Sequence, residues 1–314
     1  VEVRKDLPSH DHTGGNYWFA DITKYQDSQG ILRFGGGLTA GQIEALEMGQ
    51  QRAVNHLTQA ASLEVTEDTL KVINLTGHKL ISGYPEGRRM WLNIKWYDTN
   101  DLLIREDGAY GPLLDDEGSN VMIANPAGGP DVQVESILDL GDSSTRIYEA
   151  HYAMTKEWAD VLLAVGKRAD LELSYDRYTG AVDFTLGDLA SLPDGNSYHE
   201  TFHFVLNNYI AKDNRIPPWG MNFDVAQKRN VLPVPSNQYG GGTPGSTYNY
   251  WDEIDLATLK PTGAVSADIA LYYQGTSWEY IQFLNEANNG ENEFLGQEGV
   301  NMLEAWINAE IPLA

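Results

Sequence analysis

The sequence contains no cysteine among its 314 residues. This absence excludes disulfide bonds, thiolate metal sites and a cysteine nucleophile. It also excludes the CxxCH motif, through which a c-type haem is attached covalently to a protein. The chain therefore carries no covalently attached haem.

Basic residues and long apolar runs are also scarce. Lys and Arg number 21 against 45 Asp and Glu, which gives a formal net charge of −24. Such a charge repels nucleic acid and anionic membranes, so neither is an expected partner. No apolar run is long enough to cross a bilayer, so we expect no membrane insertion. No signal peptide is visible, which is typical of a processed or a cytoplasmic chain.

The residues that are present indicate a β-rich protein. Hydrophobic residues make up 42% of the chain, and 31 Gly with 13 Pro imply many turns. Short runs of β-branched and aromatic residues predict a mainly β fold, with an antiparallel β-sandwich core and helical N- and C-terminal segments packed on it. The predicted parts are a loop and helix over 1–64, a sandwich domain over 65–275 and helices over 276–314.

Local patterns predict individual elements. Thr39-Ala-Gly-Gln42 has the form of a capping box and begins a helix predicted over 40–61. Residues 90–97 alternate so that Leu92, Ile94 and Trp96 face inward while the residues between them face solvent. A turn at 98–101 makes this run the first strand of a hairpin. Residues 201–206 are predicted as a further strand.

Several segments occur in an order that matches a known family. The longest is Asn74-Leu-Thr-Gly-His-Lys-Leu-Ile-Ser-Gly-Tyr-Pro-Glu-Gly-Arg-Arg-Met-Trp91. The others are Ser9-His10 with Gly14-Gly-Asn16, Arg146–Met154, Tyr209–Met221 and Leu271-Tyr-Tyr-Gln274. Together they resemble the haem-free C-terminal part of bacterial multihaem c-type cytochromes, where the first segment reads GHKFPTGYP before an Arg-Arg pair. The chain departs from that pattern at His12, at Leu80-Ile-Ser82 and in lacking the haem-binding region.

The resemblance implies a site for a haem c held in trans by a partner chain. His10 and His78 lie in the resembling motifs, and a neutral imidazole on one chain can ligate a haem iron on another. Arg88 and Arg89 would pair with a haem propionate, or internally with a carboxylate such as Asp213. The alternative for the histidines is structural: His10 would cap a loop and His78 would bond inside its turn.

Ordinary metal sites are a separate hypothesis. On a strand, His10 and His12 would project to one face and chelate a metal ion. His199 and His203 would converge only on a helix, and the sequence around them alternates like a strand. Asp98 and Asp101 supply oxygen atoms of the kind that Ca²⁺ prefers, so we also consider a structural calcium at this turn.

No nucleophile elbow, phosphate loop or dinucleotide fingerprint is present in the sequence. The resemblance therefore implies a non-catalytic, partner-binding subunit or processed fragment of an extracytoplasmic multihaem electron-transfer assembly, bound to a haem-bearing cytochrome chain. The alternative is a secreted β-sandwich module, stiffened by calcium, that binds carbohydrate or a cell-surface partner. The sequence leaves the oligomeric state open.

Overall fold

The structure is a computed structural model, and it describes residues 14–309 except for 34, 82, 289 and 291. His10 and His12 lie outside the described residues. The helices are α1 (Phe19–Ser28), α2 (Ala40–Leu57), α3 (Lys156–Ala164), α4 (Leu186–Ala190), α5 (Phe223–Lys228), α6 (Leu256–Leu259), α7 (Trp278–Glu286) and α8 (Glu298–Asn308). The strands are β1 (Ala61–Thr66), β2 (Thr69–Asn74), β3 (Arg89–Tyr97), β4 (Leu103–Asp107), β5 (Tyr110–Pro112), β6 (Met122–Ile123), β7 (Val132–Gln133), β8 (Glu135–Ile137), β9 (Ile147–Tyr148), β10 (Ala150–Thr155), β11 (Glu172–Tyr175), β12 (Val182–Thr185), β13 (Tyr198–Glu200), β14 (Tyr209–Asp213), β15 (Trp251–Asp255) and β16 (Ser266–Gln274).

The described strands pair antiparallel throughout, and helices lie at both ends of the described chain. This confirms the predicted mainly β, antiparallel fold with helical terminal segments. The strands divide among six sheets rather than two, with the orders β16-β3-β4 (β9 also pairs with β3), β1-β2-β15, β13-β10-β14, β11-β12, β5-β8 and β6-β7. Long Gly- and Pro-containing loops separate many of the strands, which keeps most of these sheets small.

Strand β3 forms the centre of the largest sheet, paired with β16 along its whole length and with β4 and β9 on the other side. Leu92, Ile94 and Trp96 are buried as predicted, and Trp96 Nε1 donates to Asp107 Oδ2 at 2.7 Å. The prediction that the alternate face meets solvent is wrong for Trp91 and Asn93, which are both buried. The rings of Tyr110 and Tyr272 cover Trp91 on this face, and Asn93 Nδ2 donates to Glu106 Oε1 at 2.7 Å.

The terminal helices pack on this β framework. Helix α2 begins with the predicted capping box at Thr39 and ends at Leu57, because the chain turns there to enter β1. Ser277 caps α7, and the apolar faces of α7 and α8 cover Leu113 and Val134. In the described part of the chain, no helix has the length and apolarity of a membrane span.

The predicted strand over 201–206 is wrong. Only Tyr198–Glu200 forms a strand there, and the following residues make a turn. Thr201 Oγ1 accepts a hydrogen bond from the His203 backbone N–H at 3.1 Å. Such a local side-chain bond competes with a sheet ladder and ends the strand.

Candidate functional site

The segment after β2 forms a tight loop that is fixed from within by Asn74. The Asn74 Nδ2 donates to the carbonyl oxygens of His78 at 2.8 Å and Ile216 at 2.9 Å. Its Oδ1 accepts from the backbone N–H of Thr76 at 2.8 Å and from the Thr76 hydroxyl at 2.7 Å. Asn74 is 2% exposed, so these bonds form away from competing water. One amide therefore sets the shape of the loop and joins it to the segment that follows β14.

A buried ion cluster holds the far side of the loop. Lys79 Nζ lies 2.6 Å from Asp213 Oδ2, and Arg215 contacts both Asp213 oxygens at 2.9 and 2.7 Å. Burial acts to raise the pKa of Asp213, but the hydrogen bonds and charges of Arg215 and Lys79 hold it below its usual value. Burial in turn lowers the pKa of Lys79, against the attraction of Asp213. Separating these charges would leave one of them buried and uncompensated, so the cluster resists movement of the loop.

His78 projects from this fixed loop into solvent. Its Nδ1 lies 2.9 Å from the carbonyl oxygen of Lys79. A carbonyl oxygen only accepts, so Nδ1 donates this hydrogen bond, and in the matching tautomer the lone pair is on Nε2. Within the described residues, both hydrogen-bond contacts of the ring involve Nδ1, and Nε2 forms none. A carbonyl bond of this kind orients and tunes imidazole ligands in metal sites.

A cleft lies on each side of His78. The first, the Arg88 cleft, has a volume of about 600 Å³ and is lined by His78, His56, Leu75, Tyr84 and Arg88, together with Gly14 and Gly15. The second, the Trp219 cleft, has a volume of about 540 Å³ and is lined by His78, Trp219, Met221, Val225 and Arg229 among others. Trp219 is 79% exposed, an unusual position for the largest apolar side chain.

Arg88 lies at the wall of the first cleft. Its Nη2 donates to Asn16 Oδ1 at 2.6 Å, and its guanidinium lies 5.7 Å from the centre of the Tyr84 ring. The neighbouring Gly15 packs against Tyr273 so closely that a Cβ atom there would lie 2.6 Å from the hydroxyl oxygen. Gly15 and Asn16 belong to one resembling segment, Tyr273 to a second and Arg88 to a third. Three of these segments therefore meet beside this cleft.

Arg89 points the other way, into the interior. Its Nε donates to Gln274 Oε1 at 2.8 Å, its Nη2 donates to Ser136 Oγ at 3.0 Å, and its Nη1 lies 3.1 Å from Glu279 Oε2. It is 4% exposed, so it is not placed to bind a propionate from another chain. Arg89 does not pair with Asp213, the internal partner suggested above, because Lys79 and Arg215 occupy that carboxylate.

The Arg146–Met154 segment joins the same framework through Asn214. The Asn214 Nδ2 donates to the Ile147 carbonyl oxygen at 2.7 Å, and its Oδ1 accepts from the Glu149 backbone N–H at 2.8 Å. The motifs that are far apart in the chain therefore surround one loop.

The calcium hypothesis at Asp98 and Asp101 finds no support in the described residues, and the His10–His12 pair lies outside them. The Asp98 Oδ1 accepts backbone N–H bonds from Asn100 and Leu102, which is ordinary turn chemistry, and Asp101 follows in the left-handed conformation with φ +59°. His199 and His203 bond separately, to Ser174 Oγ and to the Glu172 carbonyl oxygen. Among the described residues, no group of three or more His, Asp or Glu side chains is arranged to hold a metal ion.

Two contributions to the site were missed from sequence. Lys79 is one of them: it is buried and paired with Asp213, and the local sequence carries no signal of this pairing. Trp219 follows two prolines and precedes Gly220, a context typical of an exposed turn, which could have marked it as a surface aromatic.

No protein-family model matches the sequence, and no curated protein matches it. Among solved structures, a penta-heme cytochrome c552 from Thermochromatium tepidum matches with a TM-score of 0.28 and 12% sequence identity. The match covers 81% of this chain and 43% of that one, so the chain spans less than half the length of the cytochrome. A TM-score this low carries no argument about function, which rests on the site and the sequence motifs.

Proposed function

We propose that this chain is a non-catalytic subunit or portion of an extracytoplasmic multihaem electron-transfer assembly, and that His78 supplies an axial ligand to a haem c held by a partner chain. The observation that carries the proposal is the hydrogen bonding and the exposure of the His78 ring. Its Nδ1–H is bonded to a carbonyl oxygen, and its Nε2 lone pair faces solvent from a rigid loop. The order of the resembling motifs supports the same assignment.

The chemistry of the ligand suits this arrangement. Haem iron accepts neutral imidazole nitrogen, and the identity of the axial ligand is a principal determinant of the reduction potential. A ligand that did not move on oxidation and reduction would keep the reorganisation of the site small. Asn74 and the Lys79–Asp213 pair provide that rigidity, because they fix the backbone on both sides of the imidazole.

We assign the clefts beside His78 to the porphyrin ring and the propionates of the haem. Trp219 and Met221 offer apolar surface for the face or edge of a porphyrin, and Arg88 and Arg229 lie where a propionate could be neutralised. A partner that holds the haem would present a basic or neutral face, since this chain has a net charge of −24.

The second candidate is the carbohydrate-binding module. The observation that favours it is Trp219, because exposed aromatic rings stack on the apolar faces of sugars and this ring is 79% exposed beside a cleft. The module would need no haem partner, and Trp219 rather than His78 would dominate binding.

Purification from the native source distinguishes the two. The chain should be recovered in a complex with a haem-bearing protein that has c-type absorbance, with haem and chain in a fixed ratio. Recovery as a colourless protein that binds polysaccharide would contradict the electron-transfer assignment. A His78→Ala version expressed in the same source should lose the spectrum of the low-spin haem, while His56→Ala, a histidine in the same Arg88 cleft, should retain it.

A further inference from the structure

A separate cleft lies on the face of the molecule formed by β10, β11, β13 and α7. It has a volume of about 280 Å³, and its lining includes Glu86, His151, Glu200, Glu279 and Phe283. Glu86 is 4% exposed, and its Oε1 is buried without a hydrogen-bond partner within the described residues. A buried acceptor with no donor is costly, so this oxygen calls for a group that is absent from the described chain.

The other carboxylates around the cleft, which are partly buried or exposed, have cations of their own. His151 bridges two of them, with Nδ1 at 2.7 Å from Glu200 and Nε2 at 3.1 Å from Glu149. Lys212 adds a second contact to Glu149 at 2.7 Å. The charges of these four groups offset one another, so the nearby imidazolium is largely neutralised by its own partners.

Glu279 is paired in the same way. Its two oxygens lie 3.1 Å from Arg89 and 3.0 Å from Arg177, and Ser136 donates to it at 3.1 Å. Asp183, at the exposed edge of the cleft, accepts from the Ser174 hydroxyl. Glu86 is thus the buried carboxyl of the cleft that is left without a cation or a donor.

Aromatic rings form much of the remaining wall. Phe202 and Phe283 meet edge to face with their centres 5.6 Å apart, and Tyr175 contacts Phe283 with a spacing of 6.0 Å. Tyr152 completes the lining near Glu86. A carboxylate surrounded by aromatic faces attracts organic cations, since the rings stabilise the cation and the carboxylate accepts its N–H groups.

We propose that this cleft binds a small primary ammonium compound, or the ammonium end of a longer ligand, through a hydrogen bond to Glu86. The requirement for an N–H donor follows from the unpartnered Oε1, and a quaternary ammonium would not satisfy it. The volume of the cleft limits the buried part of the ligand to a short alkyl amine. The site is independent of His78 and of the proposed haem partner.

The ionisation of Glu86 controls this binding. Burial raises the pKa of Glu86 to about 7, against the opposing charge of His151. The other groups that face it keep their charge between pH 6 and 8: the His151 pKa is raised to about 9, and the pKa values of Glu200 and Glu279 are lowered. Burial lowers the His199 pKa below 6.5, so this ring is neutral over most of the range. Between pH 6 and 8, Glu86 is therefore the carboxyl of the cleft that changes state.

Calorimetric titration with n-propylammonium chloride, at constant ionic strength, tests the proposal. At pH 8 the natural protein should bind the amine at one site, and Glu86→Gln should weaken that binding by about tenfold or more, because it removes the charge that strengthens the hydrogen bond. Lowering the pH to 6 should weaken binding to the natural protein by about tenfold, since the competent carboxylate falls to about a tenth of the population. The Gln variant should lack this pH dependence.

Two controls separate the site from the general charge of the protein. Glu64→Gln, an exposed position on β1, should bind the amine like the natural protein. Tetramethylammonium and n-propanol should bind weakly or not at all, because the first lacks a donor and the second lacks a charge. Equal binding of n-propanol, or an unchanged affinity in folded Glu86→Gln, would overturn the proposal, as would the absence of amine binding to the natural protein at pH 8.

Discussion

Replacing Glu86 with Gln should stabilise the protein at high pH. Burial raises the pKa of Glu86 from 4.5 to about 7, so ionisation is harder in the folded state than in the unfolded chain. The natural protein therefore loses stability as the pH rises from 4.5 towards 7, and the loss is complete above 7. Linkage gives a cost of about 3 kcal/mol at pH 8 and about 1 kcal/mol at pH 5. Gln keeps the shape of the side chain and removes the titration.

Urea unfolding of both proteins at pH 5 and pH 8 measures this effect. The free energy of unfolding of Glu86→Gln, relative to that of the natural protein, should be about 2 to 3 kcal/mol higher at pH 8 than at pH 5. An effect of the amide that does not depend on pH is the same at both pH values and therefore cancels in the comparison. Glu64→Gln, at an exposed position, should show no such change. A difference for Glu86→Gln that is the same at both pH values, or larger at pH 5, would refute the argument that Glu86 is a buried carboxyl without a partner.

Three further substitutions test the framework. Asp213→Ala should destabilise the protein by about 3–5 kcal/mol in urea unfolding, because Lys79 and Arg215 would stay buried without their counter-ion; a loss below about 1 kcal/mol would contradict this. Trp96→Ala should cost about 3–5 kcal/mol by the same assay, and a near-neutral effect would argue against its burial in the core. His151 has its pKa raised to about 9 by its two carboxylate partners, against the effect of burial, so its contribution is complete below pH 6.5 and is lost as the pH rises through 9. His151→Gln should therefore destabilise more at pH 6 than at pH 10 in thermal melts, and the reverse order would exclude the ion pairs.

Elements with local signals could be predicted from sequence. The capping box at Thr39 depends on residues within one turn, and its helix begins where predicted. The inward positions of β3 follow from alternation, which reports one buried face reliably. Burial of Trp91 depends on β16 and on Tyr110 and Tyr272 packing against it, contacts that alternation within one strand does not encode.

The candidate site could be predicted only in part. His78 was identified through its motif, and the structure places it on an exposed, fixed loop. Arg88 and Arg89 are adjacent in sequence, yet successive residues entering a strand point to opposite sides. One therefore reaches the cleft and the other the interior, a distinction that needs the sheet. The pairing of Lys79 with Asp213 joins residues 134 positions apart, so no local sequence pattern predicts it.

The most direct test of the account is the visible spectrum of a haem c peptide with a single histidine ligand, titrated with the purified chain. The natural protein should convert the haem to the low-spin, doubly histidine-ligated form, with His78 Nε2 about 2 Å from the iron, as in other imidazole–metal bonds. His56→Ala should give the same spectrum, and His78→Ala should leave the haem unconverted. Equal conversion by His78→Ala, or no conversion by the natural protein, would contradict the assignment of His78 as a haem ligand.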